Sequence, residues 1–117
     1  MEMIETFFNL IFAWRKNKLK DILNSFCSFE GYALNEEMCC YFATEWQDYG
    51  LGYFGEEKVL FDFQAPAVDE DKQIIVSYQK FYDIVYKYYS EYANQHPEER
   101  DEIMHLLENL RNKLKLN

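Results

Sequence analysis

The amino-acid sequence predicts an α+β fold: an N-terminal helix or pair of helices, a small antiparallel sheet from the middle of the chain, and a C-terminal antiparallel helix hairpin. Three patterns carry that prediction. Apolar residues recur at helical spacing over residues 3–27. Val59, Phe61 and Phe63 alternate with Leu60, Asp62 and Gln64, which is the period of a strand. Two further helical stripes lie on either side of a short link at residues 94–96, too short for anything but an antiparallel return. A chain of 117 residues supports one domain over residues 1–117, and its 49% apolar content supplies a real core.

In the first element Met3, Phe7, Leu10, Ile11 and Trp14 share a helical face, which Leu19, Ile22, Leu23 and Phe26 continue. Residues 16–20 are the weak point between them. The run FFNLIFAW at residues 7–14 resembles a signal core, but its positive charges follow the apolar stretch and Glu2 and Glu5 stand where a basic region belongs. It is also shorter than the roughly 20 apolar residues a bilayer span needs. These features predict a cytoplasmic protein without a membrane partner. Asn35 reads as an N-cap ahead of Glu36 and Glu37, with Leu34, Met38, Tyr41, Phe42 and Trp46 then sharing one helical face. Residues 49–55 form a glycine-punctuated aromatic turn region, and residues 73–76 a second short strand beyond a connection with Pro66 and three consecutive acids.

Ser77 is placed as the N-cap of the next helix, in which Tyr78, Phe81, Tyr82, Val85, Tyr88, Tyr89 and Tyr92 project within roughly 120° of arc. Phe81, Val85, Tyr88 and Tyr89 read as core, and Tyr82, Tyr86 and Tyr92 as rim. Pro97 suits a first helical position, Glu98 and Glu99 the electropositive first turn, and Arg111, Lys113 and Lys115 the last. Ile103, Leu106, Leu107, Leu110 and Leu114 make the buried stripe.

The net charge of -9 is a local property. Residues 29–71 hold eleven acids against Lys58 alone, whereas acids and bases balance over residues 72–117 and bases exceed acids over residues 1–20. Such a segment repels a phosphate backbone and attracts a basic surface, so direct nucleic-acid binding is disfavoured and a basic protein partner favoured. A solvated face that aids solubility is the competing reading.

Signatures of catalysis and metal binding are missing from the sequence. Cys39 and Cys40 are adjacent, Cys27 stands alone, and His96 and His105 are nine residues apart, so neither zinc-ligand spacing nor a shared helical face brings them together. An odd three cysteines exclude a disulfide framework. There is no nucleophile elbow and no phosphate-cradling loop, and nothing marks Asp62 or any other carboxylate as a desolvated general acid. The expectation is a protein that is not an enzyme and takes no cofactor.

The run Gln73-Ile74-Ile75-Val76-Ser77, then Phe81-Tyr82, Tyr92, Pro97-Glu98 and the Ile103, Leu106-Leu107, Leu110 ladder resembles the immunity proteins of bacterial contact-dependent growth inhibition systems, nearest the group paired with ribonuclease toxins. The likeness covers residues 59–114 and rests on a hydrophobic and capping pattern; residues 28–58 have no counterpart in it. It implies a small cytoplasmic protein that binds the C-terminal nuclease domain of a delivered toxin, one to one, and stops it degrading RNA. A basic RNA cleft and a locally acidic chain are complementary, which makes Glu36, Glu37, Asp48, Glu56, Glu57, Asp62, Asp69, Glu70 and Asp71 the electrostatic candidates. Trp46, Tyr49, Tyr53 and Phe54 are the aromatic anchors that would slow dissociation. The alternative is an acidic adaptor or nucleic-acid mimic that binds a basic housekeeping protein.

Overall fold

Residues 2–27 fold as two helices separated by a single turn. In the computed structural model, which describes residues 2–43, 57–66 and 68–116, α1 spans Glu2–Trp14, a 3-10 turn Lys16–Lys18, and α2 Leu19–Cys27. The break falls at the cationic stretch, as expected. The buried face of α1 is rotated from the predicted one: Ile4, Phe7, Phe8 and Ile11 are buried, Met3 and Leu10 only partly, and Trp14 is 57% exposed. Both stripes have helical period; Phe7 and Phe8 decide between them by meeting Phe61 edge-on, at 5.7 and 6.2 Å between ring centroids. α2 ends with Phe29 at a positive φ, its N–H and that of Glu30 returning to the carbonyls of Phe26 and Ser25.

The sheet is a meander. β1 (Tyr32–Ala33), β2 (Met38–Phe42), β3 (Lys58–Phe63) and β4 (Lys72–Ser77) lie in that order, each antiparallel to the next. The expected helix starting at Asn35 is therefore a hairpin turn and a strand. Asn35 does cap, its Oδ1 accepting from the N–H groups of Glu37 and Met38 at 2.9 Å each, but the chain it caps runs on extended because the apolar run of β2 pairs on both sides, Tyr32 and Phe61 flanking Cys40. β1 is too short to leave a period in the sequence.

Successive residues of a strand face opposite sides of the sheet. Met38, Cys40, Phe42, Val59, Phe61, Phe63 and Val76 face the helices and form one core with Phe26, Phe81 and Tyr89. On the other face Leu60 is 2% exposed although it falls on the side of the strand that alternation assigns to Asp62 and Gln64, and the same row opens at Ile75, 49% exposed.

α3 (Tyr78–Gln95) follows β4 directly, with the Ser77 hydroxyl accepting from the Lys80 N–H at 3.1 Å. α4 (Pro97–Lys113) returns antiparallel and packs on α2 and α3. Ile103, Leu107, Leu110 and Leu114 are buried there and Leu106 partly so. Along α3, Phe81, Val85 and Tyr89 are core, Tyr88 is half-buried, and Tyr86 is exposed.

Candidate partner-binding surface

The antiparallel register decides where the acids go. β2 begins at Met38, paired with Phe63 at the end of β3, so the β1–β2 turn and the β3–β4 connection leave the same end of the sheet. The Gln64 N–H donates to the Glu37 carbonyl at 2.8 Å and joins the two connections. Asp71 Oδ1 accepts from the Ala65 N–H at 2.8 Å and closes the β3–β4 turn, which contains the cis peptide bond between Ala65 and Pro66. Glu36, Glu37, Asp62, Asp69, Glu70 and Asp71 thus share one pole of the molecule, on two hairpin connections and the end of a strand.

Glu57 does not join them. It precedes β3, where its carbonyl accepts from the Tyr78 N–H at 3.0 Å, at the opposite end of a six-residue strand and so about 20 Å from the acidic pole. Trp46, Asp48, Tyr49, Tyr53, Phe54 and Glu56 lie outside the described residues.

Two acids outside the residues expected from the sequence to contact a partner approach the acidic pole. Met3 lines a cleft of about 530 Å³ with Val68, Asp69, Glu70 and Lys72, which brings the first turn of α1, with the exposed Glu2 and Glu5, beside the β3–β4 connection. In the summed charge of residues 1–20 they are outweighed by bases that include Lys16, Lys18 and Lys20, which lie beyond the other end of α1, in the 3-10 turn and α2. First-turn acids at Glu2 and Glu5 were the available signal. Arg15 turns inward instead, its Nε donating to the Tyr32 hydroxyl at 3.0 Å and Nη2 to the Leu34 carbonyl at 3.1 Å.

The adjacent Cys39 and Cys40 project to opposite faces of β2, which prevents them from chelating one ion. Burial pushes the Cys27 and Cys39 thiols up, away from the thiolate that a nucleophile requires. Among the described residues no group of three or more His, Cys, Asp and Glu side chains is arranged to hold a metal. No helix among them is long and apolar enough to cross a membrane.

A family model of CDI immunity proteins, those of contact-dependent growth inhibition, matches residues 1–107. The chain belongs to that family. Its function is immunity against a CDI toxin, and the partner that this implies is the cognate toxin. The match takes in the N-terminal helices and all four strands, and so reaches beyond residues 59–114, which carry the resemblance. No curated protein and no solved structure matches this immunity protein.

Proposed function

We propose that this immunity protein neutralises a ribonuclease toxin domain by binding it one to one through the acidic pole, so that RNA no longer reaches the toxin's basic cleft. The observation that carries this reading is the convergence of Glu36, Glu37, Asp69, Glu70 and Asp71 on two connections tied by the Gln64 to Glu37 hydrogen bond, with Asp62 at the adjoining end of β3. A nuclease must present positive charge to phosphates, and a cluster of carboxylates competes for that charge. The whole chain acts as one domain in the cytoplasm of the cell that makes it, and it works by occupancy, without catalysis or cofactor. Asp48 and Glu56, with the aromatic side chains Trp46, Tyr49, Tyr53 and Phe54, belong to the same proposal as further contacts, and Glu57 is its weakest member.

The test is co-expression with the C-terminal domain of the toxin encoded beside it. Survival of the cells, copurification of the two chains and intact cellular RNA are expected. Survival with a toxin that cleaves DNA or permeabilises membranes would keep the immunity function and overturn the ribonuclease assignment. Copurification with a basic housekeeping protein in cells without toxin would favour the acidic adaptor.

A further inference from the structure

Among the described residues the sheet has two very different edges. β1 is two residues long, whereas β4 is six residues long and carries Ile74, Ile75 and Val76 without a proline or a bulge. Lys72 is the single charge on it. Edge strands of this length are normally blunted, because their unpaired backbone groups template the addition of another strand.

Hydrogen-bond parity identifies which groups face away from β3. The Tyr78 N–H donates to the Glu57 carbonyl, one step beyond the Lys58 to Ser77 pair, and hydrogen-bonded pairs recur at every second residue of an antiparallel ladder. Val76, Ile74 and Lys72 therefore bond β3. The N–H and C=O groups of Gln73 and Ile75 point away from β3, to an edge that no described strand occupies. The other side of β3 agrees: the Gln64 to Glu37 bond, one step beyond Phe63 and Met38, sets Asp62 and Leu60 against β2 and leaves Phe61 and Val59 for β4. On the outer face Tyr41, Leu60 and Ile75 form one cross-strand row that ends, half-exposed, at this edge.

We infer that β4 is the site at which a strand of the toxin domain is added to the sheet, in register with Gln73 and Ile75. The occupant carries an apolar side chain that extends the row beyond Ile75 and basic residues at the end that reaches Asp69, Glu70 and Asp71. Charge chooses this occupant over a second copy of the chain: β4 leads directly out of the acidic connection, and two chains of net charge -9 repel each other where a basic strand is attracted. The inference rests on the proposed toxin binding and deepens it, since the acids steer the encounter and the edge fixes the register.

Proline substitution tests it by parity. Ile75→Pro removes an outward N–H and leaves the β3–β4 ladder whole, so the variant folds, as judged by circular dichroism, and binds the toxin domain at least about 30-fold more weakly. Ile74→Pro removes a ladder bond and lowers the melting temperature far more. Hydrogen exchange on the unmodified chain decides the matter without any variant: the Gln73 and Ile75 amides exchange freely alone and are protected in the complex. A folded Ile75→Pro chain with unchanged affinity, or no added protection at these amides, overturns the strand addition and leaves the function standing. An unmodified chain that binds no toxin domain overturns both. A dimer of the free chain that Ile75→Pro dissociates would give the edge to self-association and overturn the choice of occupant.

Discussion

Tyr89 is fully buried, and its hydroxyl donates to the Leu19 carbonyl at 2.8 Å, pinning α3 to the start of α2 across the core. Removing the hydroxyl in Tyr89→Phe deletes this buried bond and should cost about 1 kcal/mol, lowering the melting temperature of a 117-residue chain by roughly 4 °C. Burial raises the Tyr89 phenol far above its ordinary value. Its contribution to stability is therefore complete below about pH 10, the unfolded value, and is lost as the pH rises beyond it. Alkaline unfolding that is unaltered in Tyr89→Phe would exclude this linkage. Tyr92 was assigned to the rim, but its own chain engages it: the hydroxyl donates to Glu99 Oε2 at 2.8 Å and the ring stacks on His96 with centroids 4.0 Å apart. The Tyr92 hydroxyl, then Lys20, hold the Glu99 carboxyl below the usual carboxylate range. That contribution is present above the unfolded carboxylate value and disappears as the pH falls through the lower folded one, so Tyr92→Phe should flatten the acid limb of a stability-versus-pH curve.

At the scale of elements, the turn at Asn35 links stability to the surface. Its side chain accepts two backbone N–H groups that the hairpin otherwise leaves without partners. Asn35→Ala should destabilise the chain by about 1–2 kcal/mol and loosen Glu36 and Glu37 relative to the β3–β4 connection. Denaturant melts give the first effect, and faster exchange of the Met38 amide the second; an unchanged Met38 amide would mean that the ladder alone sets the turn. The same residue shows why β2 was misread. A cap residue followed by acids opens helices and hairpins alike, and the apolar positions of residues 34–46 satisfy a helical face. Only the pairing of Cys40 with both Tyr32 and Phe61 favours the strand. Where a segment had one period and a capping signal that agreed with it, as at Ser77 and Pro97, the reading and the structure coincide.

Charge is separated along α1 and the turn that follows it. α1, 13 residues and so about 20 Å long, places Glu2 and Glu5 at the acidic pole and leads at its other end to Lys16, Lys18 and Lys20. Exposed charges are screened beyond about 8 Å at physiological salt, so carboxylates grouped on adjacent turns act together where scattered ones would not. Reversing Glu36, Asp69 and Glu70 to Lys spares Asp71, which holds the turn. It should slow association with the toxin domain by about tenfold or more at low salt and by much less at high salt, with dissociation little changed. Stopped-flow association across a salt series is the measurement, and an on-rate that is insensitive to both salt and the reversals would remove the acidic pole from the encounter.

Local sequence determined the helices, their caps, the strands β3 and β4 and the regional excess of acid, because periodicity, capping chemistry and charge are properties of neighbours along the chain. The tertiary structure decided which face of α1 is buried, that residues 38–42 pair as a strand, that Glu57 leaves the cluster while Glu2 and Glu5 approach it, and that β4 ends the sheet among the described residues. Each of these depends on strand register and on packing between residues distant in sequence, and neither leaves a period in the chain for a reader to find.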